Sequence, residues 1–387
     1  MELYSDFASI LDFGASSDGT SDTAAAFAKA FAAGVRRIRV PAGEYRIDHT
    51  LALPSGAWLE VDENARIFAI PGGFTDPFMI ANAEYGASDI KIRGGIWDGV
   101  CGENKRASHA DTVKLGLMFN FIGVDGLVLE NLRMFNASSY HVRLGEVKHF
   151  RIENVSFEGE LTPPCQDGIH MGGGCEYGLI RGVKALPGTM GDDLIALNAD
   201  DYIWFGQNIG MKALPIRHIR VEDVDAPHCY TVIRILSVNE EVSDCYFKNF
   251  RAGYRAIGIN LDSTHRCGDA FKTFNRPGGV GNLRDITFEN FELWYAGSRE
   301  VHSPIVSYES NSRNVRFINF RHVRENDTLP TDTINLCSMA ETVLLSDGEK
   351  RVIGDCEEYI SNVDFHGELV VNSNYEVANI PYPEITN

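Results

Sequence analysis

The chain has 387 residues, and its 44% apolar and 10% aromatic content is typical of a soluble globular protein with a substantial core. Its formal net charge of −19 argues against nucleic acids and anionic membrane surfaces as partners. No apolar run reaches the length that spans a bilayer, so no membrane partner is expected.

The compartment is indicated only by the start of the chain and by the cysteines. Residues 1–14 hold no basic segment followed by an apolar run, so the sequence as written predicts a cytoplasmic protein. If a leader has been removed, a secreted or periplasmic location fits equally well. Eight cysteines at irregular spacings, without a Cys-x-x-Cys pair, favour reduced core thiols over a zinc cluster. Nothing in the sequence indicates an oligomeric state.

The first regular element predicted along the chain is an alanine-rich helix over about residues 22–33. Phe27 and Phe31 share one face of this helix, and Gly34 is its expected end. An amphipathic helix ahead of many strands fits a cap over the open end of a repeat stack. Residues 1–50 are therefore assigned to an N-terminal capping segment.

Repeated strand patterns dominate the rest of the chain. Alternating apolar residues are followed by Asn or Asp and another apolar residue, at spacings of 23, 26 or 29 residues between neighbouring copies. Strand patterns repeating at this interval predict a β-solenoid, with rungs over 51–370 and a tail over 371–387 in a single domain. The bend residues are expected to stack in a structural ladder. They are Asn131, Asn154, Asp223, Asn249, Asn290 and Asn319.

Two neighbouring repeats place carboxylates directly before an alternating apolar run, at 166–172 and 191–198. Asp167 and Asp193 occupy equivalent positions, with Asp192 beside the second. If the two copies are adjacent parallel strands, about 4.8 Å apart, the carboxylates lie side by side on an outer face. Like charges held this close raise a pKa, which separates an acid from a base among similar groups. The stretch therefore predicts a catalytic centre.

Alignment of successive repeats predicts an outward-facing column formed by Arg143, His170, Ala196 and Arg234. Further along come Asn198, Leu236 and Asn260, and a later repeat adds Tyr308. Insertions are expected to wall this face, and one of them offers Trp204 as a platform for a sugar ring. An open face of acids, a histidine, arginines, amides and aromatic rings fits a carbohydrate-binding groove.

With these residues placed, the sequence from about residue 12 to residue 308 resembles glycoside hydrolase family 28, the polygalacturonases and their relatives. Gln166-Asp167-Gly168 takes the place of the family's Asn-Thr-Asp-Gly motif. Gly191-Asp192-Asp193 is similar to its Gly-Asp-Asp motif, and Arg234-Ile235 to the start of its Arg-Ile-Lys motif. Residues 13–23 and 95–99 resemble the family's opening segment and one of its glycine-rich rungs.

The resemblance implies a right-handed parallel β-helix that hydrolyses glycosidic bonds with inversion, without a metal or cofactor. Its substrate would be a pectic or related plant or microbial polysaccharide or oligosaccharide. By position Asp192 is the general acid, Asp167 and Asp193 activate the water, and Arg234 contacts the sugar. Inverting enzymes usually separate acid and base by about 6.5–9.5 Å, so Asp192 is expected to be displaced from the other two.

Two departures from the family pattern affect the expected substrate. The Gly-His-Gly motif is missing from residues 206–210, which leaves His170 and His228 as substitutes. The lysine of Arg-Ile-Lys is Leu236 here. Because the resemblance assigns that lysine to the substrate carboxylate, a neutral or differently charged sugar is as compatible as galacturonic acid.

Two other functions remain open at this stage. A β-helical polysaccharide lyase would hold calcium with the clustered aspartates and remove a proton with an arginine or lysine. Its activity would depend on calcium, and its unsaturated product would absorb ultraviolet light. A carbohydrate-binding or tailspike-like solenoid would use the groove without cleaving, and would bind a glycan without releasing product.

Overall fold

The structure is a computed structural model in which nearly all regular elements are β-strands. It describes residues 6–106, 111, 113–159, 163, 165–187, 189–200, 208–263, 281–297, 305–308, 310, 312–323, 334–336, 342–344, 350–352, 360–361 and 364–366. The predicted C-terminal tail and Trp204 lie outside these residues. In this part of the chain no helix is long and apolar enough to cross a membrane.

The strands are short at the start of the chain and become longer after the fifth coil. In chain order they are β1 (Ala8–Ser9), β2 (Asp18–Asp22), β3 (Arg37–Val40), β4 (Gly43–Ile47), β5 (Leu51–Leu53), β6 (Trp58–Val61), β7 (Ala65–Ala69), β8 (Phe78–Asn82), β9 (Ser88–Arg93), β10 (Ile96–Asp98), β11 (Leu117–Ile122), β12 (Asp125–Glu130), β13 (Arg133–Phe135), β14 (Val142–Gly145), β15 (Lys148–Glu158), β16 (Ile169–Gly172), β17 (Glu176–Ala185), β18 (Asp193–Asn198), β19 (Ile216–Leu236), β20 (Val242–Asp262), β21 (Leu283–Tyr295), β22 (Val306–Tyr308), β23 (Ser312–Val323), β24 (Ile334–Leu336), β25 (Thr342–Leu344), β26 (Lys350–Val352), β27 (Ile360–Ser361) and β28 (Asp364–His366).

Three columns of parallel strands form the sides of one coil. The first column begins with β1, β3, β6, β9 and β12, the second with β2, β4, β7, β10 and β13, and the third with β5, β8, β11, β14, β16 and β18. Strands β15, β17 and β21 bend to serve the first two columns, and β19 and β20 continue through all three. Because each strand pairs in parallel with its counterpart one turn later, the chain is a parallel β-helix. The all-β parallel β-helix predicted from the sequence is confirmed.

The predicted capping helix, α1 (Thr23–Ala32), stands at the N-terminal end. Asp22 is its N-cap and accepts a hydrogen bond from the N–H of Ala24 at 3.0 Å. Phe27 is fully buried against the first coils, as the apolar face requires. Parallel pairing already includes β3 and β4, so the coils begin inside the segment 1–50 that was assigned to the cap.

Inward-facing side chains stack from coil to coil because parallel strands in register place equivalent residues above one another. Phe247, Phe288 and Phe317 stack with ring centroids 5.1 Å apart at each step. Phe250 and Phe291 stack in the same way at 4.5 Å. This continuous apolar core fixes the register, since a slip of one residue would turn every core side chain outward.

The bend between the first two columns carries the predicted ladder. Asn249 donates a side-chain hydrogen bond to Asp223 at 2.8 Å and accepts one from Asn290 at 3.0 Å. Asn319 continues the series by donating to Asn290 at 3.0 Å. All four residues have left-handed backbone conformations, with φ between 50° and 60°. Asparagine and aspartate adopt this conformation more readily than most side chains, which explains the repeated Asn or Asp.

Candidate active site

The third column brings the three predicted aspartates together at its N-terminal edge. Ile169 of β16 pairs with Ile195 of β18, so Asp167 stands opposite Asp193, and the N–H of Gly168 donates to the Asp193 carbonyl at 2.9 Å. One carboxylate oxygen from each of Asp167, Asp192 and Asp193 lies within 4.8 Å of those from the other two. The adjacency predicted from the repeats is therefore present, but Asp192 is not set apart from the pair. That displacement was expected wrongly.

Glycines allow the turns to approach this closely. A side chain on Gly168 would place its Cβ 2.5 Å from the Leu194 carbonyl oxygen. One on Gly191 would come within 2.1 Å of the Pro163 carbonyl oxygen. Real Cβ atoms do not approach backbone this closely, so the absence of a side chain at both positions brings the carboxylates of successive coils together.

Asp167 is held by a histidine three residues later. His170 Nδ1 lies 2.7 Å from Asp167 Oδ2, and both side chains are almost fully buried. The imidazole also stacks on Tyr140, with ring centroids 4.2 Å apart and planes at 10°. The histidine orientation is thereby fixed on two sides. His170 is thus the histidine that the structure places at the aspartates.

Asp193 is buried, and its environment favours the neutral acid. Burial, followed by the charge of Asp192, raises the pKa of Asp193 to about 7. The charges of Arg234 and His170 and a hydrogen bond from Thr231 oppose this rise. Asp192 is only half-buried. The neighbouring pair therefore retains a proton near neutral pH, next to the carboxylate that His170 holds.

Arg234 is bound to an aspartate that the sequence analysis did not select. Its Nε and Nη2 donate to Asp262 Oδ2 at 3.0 and 2.6 Å, and its Nη1 lies 3.6 Å from Asp193 Oδ2. Asp262 is fully buried at the end of β20. The predicted sugar-contacting guanidinium is therefore shared between two carboxylates.

The predicted positions of Asn260 and Tyr308 need correction. Asn260 pairs with Arg234, and Asp262 occupies the place opposite Leu236 that was expected for Asn260. Tyr308 pairs with Leu261, a fully buried core residue, and Ser307 continues the outward column instead. The spacing of 26 residues from Asp223 to Asn249 contains this register, because Arg234 and Asn260 are also 26 apart.

The predicted outer face is closed rather than open. Arg143 and His170 are each 1% exposed, and Asn198, Asn260 and Arg234 are 4%, 6% and 7% exposed. Part of the cover comes from the insertion after Asn198. Side chains at Gly145 or Gly172 would meet the Met211 sulfur within 2.6 Å, so Met211 packs directly on the outer face where β14 and β16 end. A sugar that reaches these residues enters an enclosed site.

Two amides in this enclosed site have polar atoms that no protein group satisfies in the part of the chain that is described. They are Nδ2 and Oδ1 of Asn198 and Oδ1 of Asn260. Buried polar atoms are normally hydrogen-bonded, so unmatched ones at a polar site indicate a ligand position. Arg143, by contrast, donates from Nε to Asn120 Oδ1 at 2.7 Å, and burial lowers its pKa to about 10.

The chain has the fold of a known exopolygalacturonase. That enzyme, from Thermotoga maritima, is 14% identical, with a TM-score of 0.55 over 93% of this chain and 92% of its own. PfbA, a surface adhesin of Streptococcus pneumoniae, is 12% identical, with a TM-score of 0.53 over 93% and 99%. Since an enzyme and an adhesin share the fold, these likenesses establish the architecture alone.

Sequence comparison gives a weaker likeness in the same direction. No family model matches the chain. A polygalacturonase of Gossypium barbadense is 25% identical over 176 residues, which are 42% of this chain and 43% of that protein. The matched stretch thus spans less than half of the curated relative.

Two histidines near the aspartates differ in their surroundings. His141 is fully buried, its Nδ1 lies 2.8 Å from the Asp167 carbonyl oxygen, and its ring contacts Phe157 at 4.7 Å. Burial lowers its pKa to about 4, so it supports the Asp167 turn as a neutral ring. His228, a predicted substitute, lies near Arg255; burial and then that charge lower its pKa. Its described interactions do not include the three aspartates.

Within the described residues, the same three aspartates form the one cluster of acidic, histidine or cysteine side chains that could hold a metal ion. Calcium takes six to eight oxygen ligands, and binding requires ionised carboxylates. Asp193 retains a proton near neutrality and already contacts Arg234, which weakens such a site. The absence of a metal requirement stays a prediction.

Proposed function

We propose that the protein is a glycoside hydrolase that cleaves a pectic or related plant or microbial polysaccharide or oligosaccharide. The observation that supports this most strongly is the difference between its adjacent carboxyl groups. One, Asp167, is bound by His170, and another, Asp193, retains a proton near pH 7 beside Asp192. Glycoside hydrolysis needs such a pair, one group to give a proton and one to accept it.

The general acid in this proposal is Asp192. It is half-buried, whereas Asp167 and Asp193 are almost fully buried, so it is the aspartate that a glycosidic oxygen reaches first. Two interacting carboxyls lose their protons as a pair, and the proton retained near neutrality is available to both Asp192 and Asp193. Asp192 transfers it to the leaving oxygen as the bond to the anomeric carbon breaks.

Asp167 and Asp193 position the attacking water. His170 fixes the Asp167 carboxylate, which accepts the proton that the water loses as its oxygen bonds to the anomeric carbon. Arg234, next to Asp193, donates to the sugar or holds the charge balance of the pair. No metal or cofactor takes part in this scheme.

Inversion is the stereochemical outcome that the proposal adopts from the resemblance. The nearest oxygens lie within 4.8 Å, below the separation of about 6.5–9.5 Å that is usual in inverting enzymes. Proton NMR of the first product anomer decides the point. A product of opposite anomeric configuration supports inversion, and retention would make one aspartate a nucleophile.

The hydrolase proposal is tested with a panel of pectic, rhamnogalacturonan and neutral oligosaccharides, read by reducing-end release. We expect release from at least one glycan and none from the Asp192→Asn variant. The Asp12→Asn variant, which changes an exposed aspartate in the cap, is the matched control and should remain active. Binding of a glycan without release by the unmodified protein would contradict the proposal and favour a binding protein.

A polysaccharide lyase is the second candidate, because burial lowers the pKa of the Arg143 guanidinium to about 10. A less basic arginine is closer to the range in which it removes a proton. The reaction would break the bond by elimination and leave a double bond in the product. Ultraviolet absorbance of the product distinguishes elimination from hydrolysis in the same panel.

A further inference from the structure

The charge around Arg234 determines which sugar its subsite accepts. Arg234 donates two hydrogen bonds to Asp262 and lies 3.6 Å from an oxygen of Asp193. One guanidinium therefore faces two carboxylates in a buried setting. Its positive charge is already balanced by groups of the protein, and bringing in a third carboxylate would leave a net negative charge away from water.

The neighbouring position on the outer face adds no cation. Leu236 follows Arg234 on the same face, is fully buried, and pairs directly with Asp262 in the next coil. The position one coil earlier is Asn198, which is also uncharged. The surface where a uronate carboxylate would need a positive charge therefore consists of an apolar side chain between an amide and an acid.

The unsatisfied atoms favour a ligand that donates hydrogen bonds. Asn198 Oδ1 and Asn260 Oδ1 are acceptors without a protein partner, and Asn198 Nδ2 is a donor without one. Both side chains are more than nine-tenths buried. A sugar hydroxyl can donate and accept, whereas an ionised carboxylate only accepts. Hydroxyls therefore satisfy all three atoms, and a carboxylate leaves both amide oxygens unmatched.

We propose that the subsite formed by Asn198, Arg234 and Asn260 binds an uncharged sugar unit, and that Asp262 excludes a uronate by neutralising Arg234. This assignment rests on the proposed hydrolase function for the location of the bound sugar. Asp262 is then a specificity-determining residue. It fixes the guanidinium toward hydroxyl groups and repels a carboxylate at the same position.

The experiment compares an oligogalacturonide with its carboxyl-reduced counterpart, which keeps the linkage and ring configuration and carries no charge. A glucuronate- and glucose-based pair extends the comparison to a second ring configuration. Affinity is measured by calorimetry and turnover by reducing-end release. We expect the unmodified protein to bind the neutral member of at least one pair about tenfold or more better than the acidic one, the scale of one hydrogen bond to a charged group.

Asp262→Asn should raise affinity for the acidic member about tenfold and leave the neutral one within a few-fold, because Arg234 gains a free charge. Since that substitution leaves a buried guanidinium with one acid fewer, Leu236→Lys provides a second test that keeps Asp262. It adds a cation opposite Asp262, and Leu236→Gln is its uncharged control. Circular dichroism and thermal unfolding check that each variant folds.

The outcomes separate this inference from the hydrolase proposal. Equal or better binding of an acidic member by the unmodified protein overturns the inference, even if the glycan is cleaved. No gain of uronate binding in either Asp262→Asn or Leu236→Lys also overturns it. Gain of uronate binding in both, with no cleavage of any glycan, supports the inference about Arg234 while the hydrolase proposal fails.

Discussion

His170 Nδ1 lies 2.7 Å from Asp167 Oδ2, and this contact joins a buried imidazole to a buried carboxylate at the centre of the third column. Tyr140 stacks on the other side of the ring and prevents it from turning away. A hydrogen bond to the ionised form of a carboxyl lowers its pKa. The contact therefore keeps Asp167 ready to accept a proton while Asp193 retains one.

Loss of this contact should weaken Asp167 as a base. We expect His170→Ala to lower kcat about ten- to hundredfold, since a buried charged group loses its partner. His170→Asn, whose amide can donate from a position near Nδ1, should restore part of the loss. The acid limb of the pH–rate profile should move to higher pH in His170→Ala, because the Asp167 pKa rises. An unchanged limb with a lower kcat would indicate a purely structural role.

The raised pKa of Asp193 predicts a pH dependence of stability. Between about pH 4 and pH 7 the folded chain holds a proton at Asp193 that the unfolded chain releases, so this group makes folding less favourable as the pH rises. Asp193→Asn removes that contribution. Relative to the unmodified protein, the variant should therefore be more stable at about pH 8 than at about pH 5.

Denaturant unfolding at the two pH values measures this difference. Asp12→Asn, at an exposed position, is the control and should show the same stability difference from the unmodified protein at both. His141 contributes in the opposite sense, because its pKa is lowered to about 4 and its stabilising effect is lost as the pH falls below about 6.5. It is unchanged in both variants and cancels. A difference for Asp193→Asn that does not grow with pH would contradict the buried, protonated carboxyl.

The bend ladder should contribute through both conformation and hydrogen bonding. Asn249 has φ of 59° and bonds to Asp223 and Asn290. Asn249→Ala loses both bonds and keeps an unfavourable left-handed conformation, so we expect a loss of about 1–3 kcal/mol in the free energy of unfolding. Asn249→Gly loses the same bonds without the conformational cost and should lose less. Equal losses in the two variants would mean that the left-handed bend costs alanine nothing.

The fold and the pairing of Asp167 with Asp193 could be predicted because both depend on local periodicity. Period-2 alternation identifies strands, and a repeated bend residue fixes the offset between coils. The same offset of 26 residues places Asn260 beside Arg234 and Asp262 opposite Leu236. That part of the site was present in the sequence pattern, and the column containing Asn260 was aligned two residues away from it.

The closure of the site could not be predicted from periodicity. It depends on how the insertion after Asn198 folds back, which places Met211 on Gly145 and Gly172. The partner of Arg234 was missed for a related reason. An exposed aspartate on a solenoid face is usually solvated, and only the burial of Asp262 shows that it is paired. The pKa of Asp193 likewise follows from burial, which the sequence does not contain.

Chelation distinguishes the hydrolase from the calcium-dependent lyase. We expect activity to survive exhaustive treatment with a chelator, because Asp193 retains a proton and contacts Arg234 instead of completing a cation site. Product absorbance in the ultraviolet is followed in the same reactions. Activity that disappears with chelator and returns with added calcium, with an absorbing product, would move the assignment to elimination.

The division of labour among the three aspartates gives the sharpest kinetic test. Asn keeps the shape of Asp but neither gives up nor accepts the catalytic proton. Asp192→Asn and Asp193→Asn should therefore each reduce hydrolysis by at least about 10²–10⁴-fold, the usual contribution of a general acid or base, with little change in binding. Asp167→Asn should do the same, because it removes the carboxylate that His170 holds.

The leaving group separates the acid from the residues that position water. Loss of Asp192 should harm a natural oligosaccharide more than an aryl glycoside, because an activated aryl leaving group needs little protonation. Loss of Asp167 or Asp193 should harm both substrates alike, since each needs the activated water. Arg234→Ala should weaken binding as well as turnover, because a donor to the sugar is lost. Near-normal oligosaccharide hydrolysis by Asp192→Asn would refute the acid assignment, and activity in all three aspartate variants would place the site elsewhere on the β-helix.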